Sequence, residues 1–287
     1  AGLLAAALQQ CGYAVAHNHL GANMAGGIAT ALANYSRLNG LLTAQYAVLE
    51  TDEAFMPQIG QQATPYITVV TNLCRDQLDR YGELSTTAKL IERGMVASGG
   101  QALLNADDPS VAAMGYRLEA QPVIYYGVEA VPVQTTLTHP VPFSQEALDC
   151  PLCGAALHYS YFIYGHLGHY ACTQCHFCRP QPQFSVTVSG LQAHQSQLTL
   201  KNNEANTQWA MQLPSPGIFN VYNALAAITV ARYLKIKEET QEAQENYNLS
   251  CCRNGISSRS QPSRIRENIV TIHFSIGRNY NFQKPLV

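Results

Sequence analysis

Two Cys-x-x-Cys pairs, Cys150-Pro151-Leu152-Cys153 and Cys172-Thr173-Gln174-Cys175, stand eighteen residues apart. Each pair can turn two thiolates toward one ion, and two such turns complete a tetrahedron. This is the spacing of a four-cysteine zinc ribbon. Gly154, directly after the first pair, suits the tight turn. Four thiolates leave zinc no open position, so the site is expected to be structural and not catalytic. Two reducible dithiols are the competing reading, weakened because the pairs occur together. Cys178 falls outside the pattern, and His158, His166, His169 or His176 could replace a ligand.

A second set of capable residues closes three short apolar runs. Residues 44–49 end at Glu50, followed by Thr51-Asp52-Glu53. Residues 66–70 end at Thr71-Asn72, followed by Arg75-Asp76-Gln77-Leu78-Asp79-Arg80-Tyr81-Gly82-Glu83. Residues 101–104 end at Asn105-Ala106-Asp107-Asp108-Pro109. Runs this short and this rich in aliphatic and β-branched residues read as buried strands with helices between them, an α/β parallel sheet. In such sheets ligands sit beyond the carboxyl ends of the strands. The three polar ends therefore form a candidate site for a metal ion and a nucleotide. The bland alternative is that these residues only cap the following helices.

The elements around them follow from pattern and punctuation. Residues 1–11 read as a helix ended by Gly12, residues 13–16 as a short strand, and residues 17–24 as a glycine-containing loop. Residues 25–36 and 85–96 read as helices, the second stopped by Ser98-Gly99-Gly100. Asp108-Pro109 starts another helix, and residues 122–127 form a further strand. Segment 150–180 holds five cysteines, four tyrosines and four histidines, so it reads as an insertion of its own. Residues 184–213 alternate polar and apolar as antiparallel strands, and residues 220–234 are an Ala-rich helix. Residues 243–287 carry no clear periodicity.

Composition narrows the classes. A formal net charge of −2 gives no polyanion-binding surface, and Arg179 is the only Arg or Lys in segment 150–180, so a nucleic-acid role for the ribbon is poorly supported. No apolar run is long enough to span a bilayer. Of nine cysteines, four are paired in metal-binding spacing and the rest show no pattern, which favours a reducing, cytoplasmic setting over a secreted disulfide framework. Ala1 is not Met and the first helix has no N-cap before it, so residues are expected upstream.

Three stretches together are similar to the central domain of the Mur ligases: Leu49-Glu50-Thr51-Asp52-Glu53-Ala54, Thr71 to Glu83, and Leu104 to Pro109. Gly217-Ile218-Phe219-Asn220-Val221-Tyr222-Asn223-Ala224-Leu225-Ala226-Ala227 resembles the adenine-side motif of that family. The loop Gly21-Ala22-Asn23-Met24, the Arg75 to Glu83 run and the cysteine insertion ending Cys175-His176-Phe177-Cys178-Arg179-Pro180 resemble the branch that amidates the lipid II stem peptide. The resemblance covers about residues 1–237 and implies a Mur ligase central domain holding a zinc-ribbon insertion at 146–180 and short antiparallel strands, with 238–287 an atypical tail.

The activity so implied is ATP-dependent amidation of the α-carboxylate of D-isoglutamate in lipid II through an acyl phosphate. Ammonia would come from a glutaminase subunit (GatD-like) in a heterodimer, with lipid II presented at the membrane surface and no nucleic acid involved. The implied cofactors are ATP, Mg²⁺ and Zn²⁺. By resemblance Glu50 is a magnesium ligand, Asn220 and Asn223 face the adenine, and Asn105 and Asp108 lie near the nucleotide. Gln77 stands where most Mur ligases have His, which departs from the pattern for a second metal. No Gly-x-x-Gly-Lys-Thr-type loop and no family C-terminal domain, which would supply a catalytic acid, are recognisable, so the chain as given is expected to be inactive alone. Two other readings remain: a Mur-type amino-acid ligase or folylpolyglutamate synthase, whose members generally lack the zinc insertion, and a non-enzymatic zinc-ribbon binding module, which would need a basic face.

Overall fold

The computed structural model describes residues 1–18, 22–73, 84–118, 120–132, 148–236 and 269–273. Gly21, the Arg75 to Glu83 run with Gln77, residues 146–147 of the insertion, and the tail apart from 269–273 lie outside the described residues.

In chain order the elements are α1 (Gly2–Gln10), β1 (Val15–His17), α2 (Ala25–Ala33), β2 (Tyr46–Glu50), α3 (Met56–Gln62), β3 (Ile67–Val70), α4 (Leu84–Ser98), β4 (Gln101–Asn105), α5 (Pro109–Arg117) and β5 (Val123–Ala130). They continue as β6 (Leu157–Tyr164), β7 (Leu167–Cys172), β8 (Phe184–Leu191), β9 (Ser196–Asn202), β10 (Thr207–Leu213), α6 (Ile218–Tyr233) and β11 (Ile269–His273). Among the described residues nine strands make one sheet in the order β1-β2-β11-β3-β4-β5-β8-β9-β10, and β6 and β7 pair separately as a hairpin. From β1 to β8 every neighbouring pair is parallel. β8, β9 and β10 then form the antiparallel meander that the alternation in 184–213 implies.

Side-chain alternation divides the core into two faces. Val48, Val69 and Leu103 pack on one face, under α1 and α6. Ala47 and Leu49 turn to the other face beneath α2 and α3, and Val70, Ala102 and Leu104 turn there beneath α4 and α5. The strands are buried from both sides, which is why they read as continuous apolar runs. All successive β-α crossovers leave their polar strand ends on one edge of the sheet, and that edge positions the candidate site.

One strand has no counterpart in the sequence reading. Ile269–His273 lies between β2 and β3, parallel to both. It comes from a tail without periodicity, yet Ile-Val-Thr-Ile is a run of β-branched residues suited to a central strand. It also supplies ladder partners to the facing edges of β2 and β3. Among the described residues, no helix is long and apolar enough to cross a membrane.

Candidate functional site

Glu50 ends β2 and, two residues beyond Val48, shares the α1 and α6 face. Asn18, just after β1, fixes the Glu50 backbone by accepting from its N–H at 2.8 Å and donating to its carbonyl at 2.7 Å. The Glu50 carboxylate itself accepts no hydrogen bond among the described residues. The amino end of α1 lies within electrostatic reach of it. A half-buried carboxylate at a strand end, with its backbone clamped and its oxygens unspent, is suited to a cation. Asp52 differs, since its Oδ1 accepts from Ala54 N–H at 3.1 Å and caps a short 3-10 helix.

Asn105 and Asp108 are spent on the protein's own backbone. Asn105 donates to Thr71 O at 2.8 Å and accepts from Asp107 N–H at 3.0 Å. Asp108 caps α5, its Oδ1 accepting from Ser110 and Val111 N–H at 2.9 and 3.2 Å. Its Oδ2 accepts from Leu73 N–H at 2.8 Å and from His166 Nε2 at 3.1 Å. Both residues are fully buried. They hold the β4–α5 loop in register with β3, and the capping role weighed for them in the sequence is the geometry Asp108 adopts.

Between them lies a residue that the sequence did not single out. Asp107 is fully buried and accepts from Arg179 Nε at 2.6 Å, Val128 N–H at 2.6 Å and Tyr222 Oη at 2.7 Å. Burial pushes its carboxyl up, while the Arg179 guanidinium and the two hydrogen-bond donors pull it back toward the charged form. Burial and the Asp107 charge hold the Tyr222 hydroxyl well above its usual range, so it stays protonated and donates. The one available signal was that Arg179 is the sole cation of its segment. Gly127 is required beside this pair. A Cβ there would lie 2.7 Å from Asp107 Oδ1 and 2.8 Å from Arg179 Nη2. Gly127→Ala is therefore expected to force the buried pair apart and cost about 2–4 kcal/mol of stability, read by urea unfolding. Unchanged stability would mean that the pair absorbs the methyl group.

The four expected cysteines meet. Their sulfurs all lie within 4.8 Å of one another, the one such metal-capable group of His, Cys, Asp or Glu among the described residues. Cys150 and Cys175 sulfurs are 3.7 Å apart, and Cys153 and Cys172 sulfurs 3.5 Å. A tetrahedron with metal–sulfur bonds of about 2.3 Å has edges of about 3.8 Å, so the donor set fits such an ion. Gly154 takes φ +75° behind the first turn. At the second turn Gln174 and Cys175 N–H donate to Cys172 Sγ at 3.3 and 3.4 Å. The Gln174 amide chiefly draws the Cys172 thiol down to about 6. His166 and His169, weighed as replacement ligands, instead donate to Asp108 and to Val128 O.

The β6–β7 hairpin seats this cluster on the sheet. Cys150, Leu157, Tyr170 and Phe177 pack on Ala112 and Ala113 of α5. Tyr170 Oη donates to Ala106 O at 2.9 Å and Gly168 N–H to Asp107 O at 2.9 Å. On the other side, α6 brings Asn220 and Asn223 to its first turns, both half-buried. Asn220 donates to Pro216 O at 2.7 Å, leaving its Oδ1 open, and the Asn223 amide has no hydrogen bond among the described residues. Phe219, exposed at the same turn, meets Tyr164 of β6 edge-on at 4.5 Å. A separate cleft of about 620 Å³, lined by Lys89, Arg93 and Arg117, shares no residue with these groups.

No protein-family model matches the chain. The chain is 35% identical over 230 residues to the lipid II isoglutaminyl synthase (glutamine-hydrolyzing) subunit MurT of Staphylococcus aureus strain COL, covering 79% of this chain and 48% of that protein. It is 34% identical over 221 residues to the subunit of the same name from Streptococcus pneumoniae strain ATCC BAA-255 / R6, covering 76% and 46%. The chain thus spans about half the length of these relatives. Two crystal structures of MurF from Acinetobacter baumannii share its fold, with TM-scores of 0.52 and 0.53 at 14% identity, over 81% of this chain and 39% of theirs.

Proposed function

The chain belongs with the MurT proteins of the Mur ligase superfamily, and on that premise we propose that it forms the ATP-binding part of a ligase that amidates lipid II. The observation that carries this reading is the strand-end edge. There Glu50 stands with unspent oxygens opposite the amino end of α1, and the open Asn220 Oδ1 and Asn223 amide stand on α6. The γ-phosphoryl group of ATP passes to the α-carboxylate of D-isoglutamate, giving an acyl phosphate and ADP. Ammonia from a glutaminase subunit then attacks the acyl carbon, phosphate leaves with the C–O bond, and the amide remains after loss of a proton.

Mg²⁺ supplies charge neutralisation across the phosphates when bound. Glu50 is the residue that would hold it. The amino end of α1 favours negative charge through its backbone dipole. Asn220 and Asn223 offer donors and acceptors to the adenine edge, and exposed Phe219 offers an apolar wall. The four cysteines would hold Zn²⁺ as a closed structural site, with no part in the chemistry.

The test is glutamine-dependent amidation by the full-length gene product with a glutaminase subunit, lipid II and Mg-ATP. Mass spectrometry should show the stem peptide lighter by about one mass unit as –OH becomes –NH₂, with ADP and phosphate released together. Transfer of an amino acid in place of ammonia would move the assignment to an amino-acid ligase.

A further inference from the structure

Asp107 is fully buried against the Arg179 guanidinium, and no step of the proposed reaction uses it. It is also where three distant parts of the chain meet. Arg179, 72 residues away, closes the cysteine ribbon. Tyr222, 115 residues away, belongs to the second turn of α6. Val128 is part of β5. Arg179 is only 8% exposed and its Nη2 also donates to Val128 O at 3.2 Å and Glu129 Oε1 at 3.3 Å, so three acceptors fix its orientation. Buried ion pairs add little net stability, but a planar guanidinium in a fixed fork constrains orientation strongly.

We propose that Arg179 is a positioning residue: through Asp107 and Tyr222 it sets the first turns of α6, and so couples the cysteine ribbon to the Asn220 and Asn223 side of the site. The consequence for ATP rests on the reading of the strand ends as the nucleotide site. Tyr222 lies between Asn220 and Asn223 in the chain, so anchoring its hydroxyl fixes the rotation of α6 about its own axis. That anchor adds a polar hold to a helix start that has no side-chain cap. Its N-cap, Gly217, has φ +91° and no side-chain cap bond. The ribbon grips the same loop a second time through His166 on Asp108 at 3.1 Å. The ribbon is thereby fastened to two successive carboxylates, and one of them reaches α6.

With Arg179 removed, Asp107 is left buried without its cation and must take up a proton or water. Either change weakens its hold on Tyr222. The test is amide hydrogen exchange across the full-length protein without nucleotide, on wild type, Arg179→Met, Arg179→Lys and Tyr222→Phe, followed by Mg-ATP titration of each. Arg179→Met and Tyr222→Phe are expected to speed exchange across residues 218–224 by roughly tenfold, the scale of losing a hydrogen bond to a charged group. Arg179→Lys should fall between them and wild type. Tyr222→Phe should leave residues 150–180 at wild-type rates, which general destabilisation would not do.

If Arg179→Met fails to fold, Tyr222→Phe decides the matter alone. Wild-type exchange at 218–224 in Tyr222→Phe, or faster exchange spread evenly over the sheet, overturns the proposal. Loosened 218–224 with weaker Mg-ATP binding in the same variants supports both the coupling and the nucleotide reading. Loosened 218–224 in a protein whose wild type binds no Mg-ATP supports the coupling and overturns the nucleotide reading.

Discussion

Glu50→Gln in the full-length protein is expected to lower ATP turnover about a hundredfold or more, while moving the melting temperature by no more than about 2 °C. The two halves of this expectation come from different atoms of one residue. The backbone of Glu50 is held by Asn18 through both its N–H and its carbonyl, and Gln leaves those bonds intact. The carboxylate accepts no hydrogen bond among the described residues, so the fold loses no polar contact there when the charge is removed. Gln is also nearly the same size, so the packing of β2 under α1 is preserved. What disappears is the one charge at the end of β2 facing the amino end of α1.

Phosphoryl transfer depends almost wholly on positioning and on neutralising the phosphate charge. A neutral amide is a poor ligand for a hard divalent cation, so magnesium affinity should fall with the rate. The measurement is ADP release against magnesium concentration, beside a thermal melt of each protein. A rate that recovers at high magnesium would still support ligation. Unfolding of the variant, with wild-type turnover indifferent to magnesium, would make Glu50 a structural cap.

What could be seen in the sequence was what is local. The strands ending at Glu50, Val70 and Asn105 announce themselves because each is a short apolar run buried from both faces. The Asp108-Pro109 start of α5 is a capping pattern within a few residues, and the structure places Asp108 at that cap. The cysteine pairs are legible because one ion demands ligands at turn spacing. Asp107 was opaque for the opposite reason. Its neighbours Asn105 and Asp108 carry the same kind of side chain, and only the docking of β7 and α6 decides which carboxylate receives Arg179 and Tyr222. Strand β11 was hidden differently. Five residues between long aperiodic stretches give too few repeats for a pattern, and the vacancy it fills is a property of the assembled sheet. Asn105 shows the limit of reading a role from a strand end. The position is on the right edge, but both ends of its amide are already bonded to the backbone.

Cys153→Ser should abolish stoichiometric metal binding and loosen the ribbon while the nine-stranded sheet remains folded. Wild-type protein is expected to carry about one zinc per chain by elemental analysis, and the variant close to none. The asymmetry follows from what each part has to lose. The ribbon has a single two-stranded hairpin and a small apolar patch, Cys150, Leu157, Tyr170 and Phe177 on α5. An isolated hairpin is marginal in water, so the ion must supply much of its stability. Structural zinc contributes on the order of 10 kcal/mol in small domains, far more than that patch can. The sheet, by contrast, is covered on both faces by helices and has its own core.

Loosening should therefore stop where the ribbon touches the sheet, at Gly168 and Tyr170 on the β4–α5 loop, and pass beyond it only through Arg179 and Asp107 to the first turns of α6. Exchange across residues 150–180 should rise steeply, that of β3 and β4 hardly at all, and far-ultraviolet circular dichroism should keep most of its helix signal. Cys178→Ser is the control. Cys178 lies outside the four-sulfur group, so that variant should keep its zinc and its protected ribbon. A metal-free wild type with a fully protected 150–180 segment would show that packing on α5 holds the ribbon without an ion.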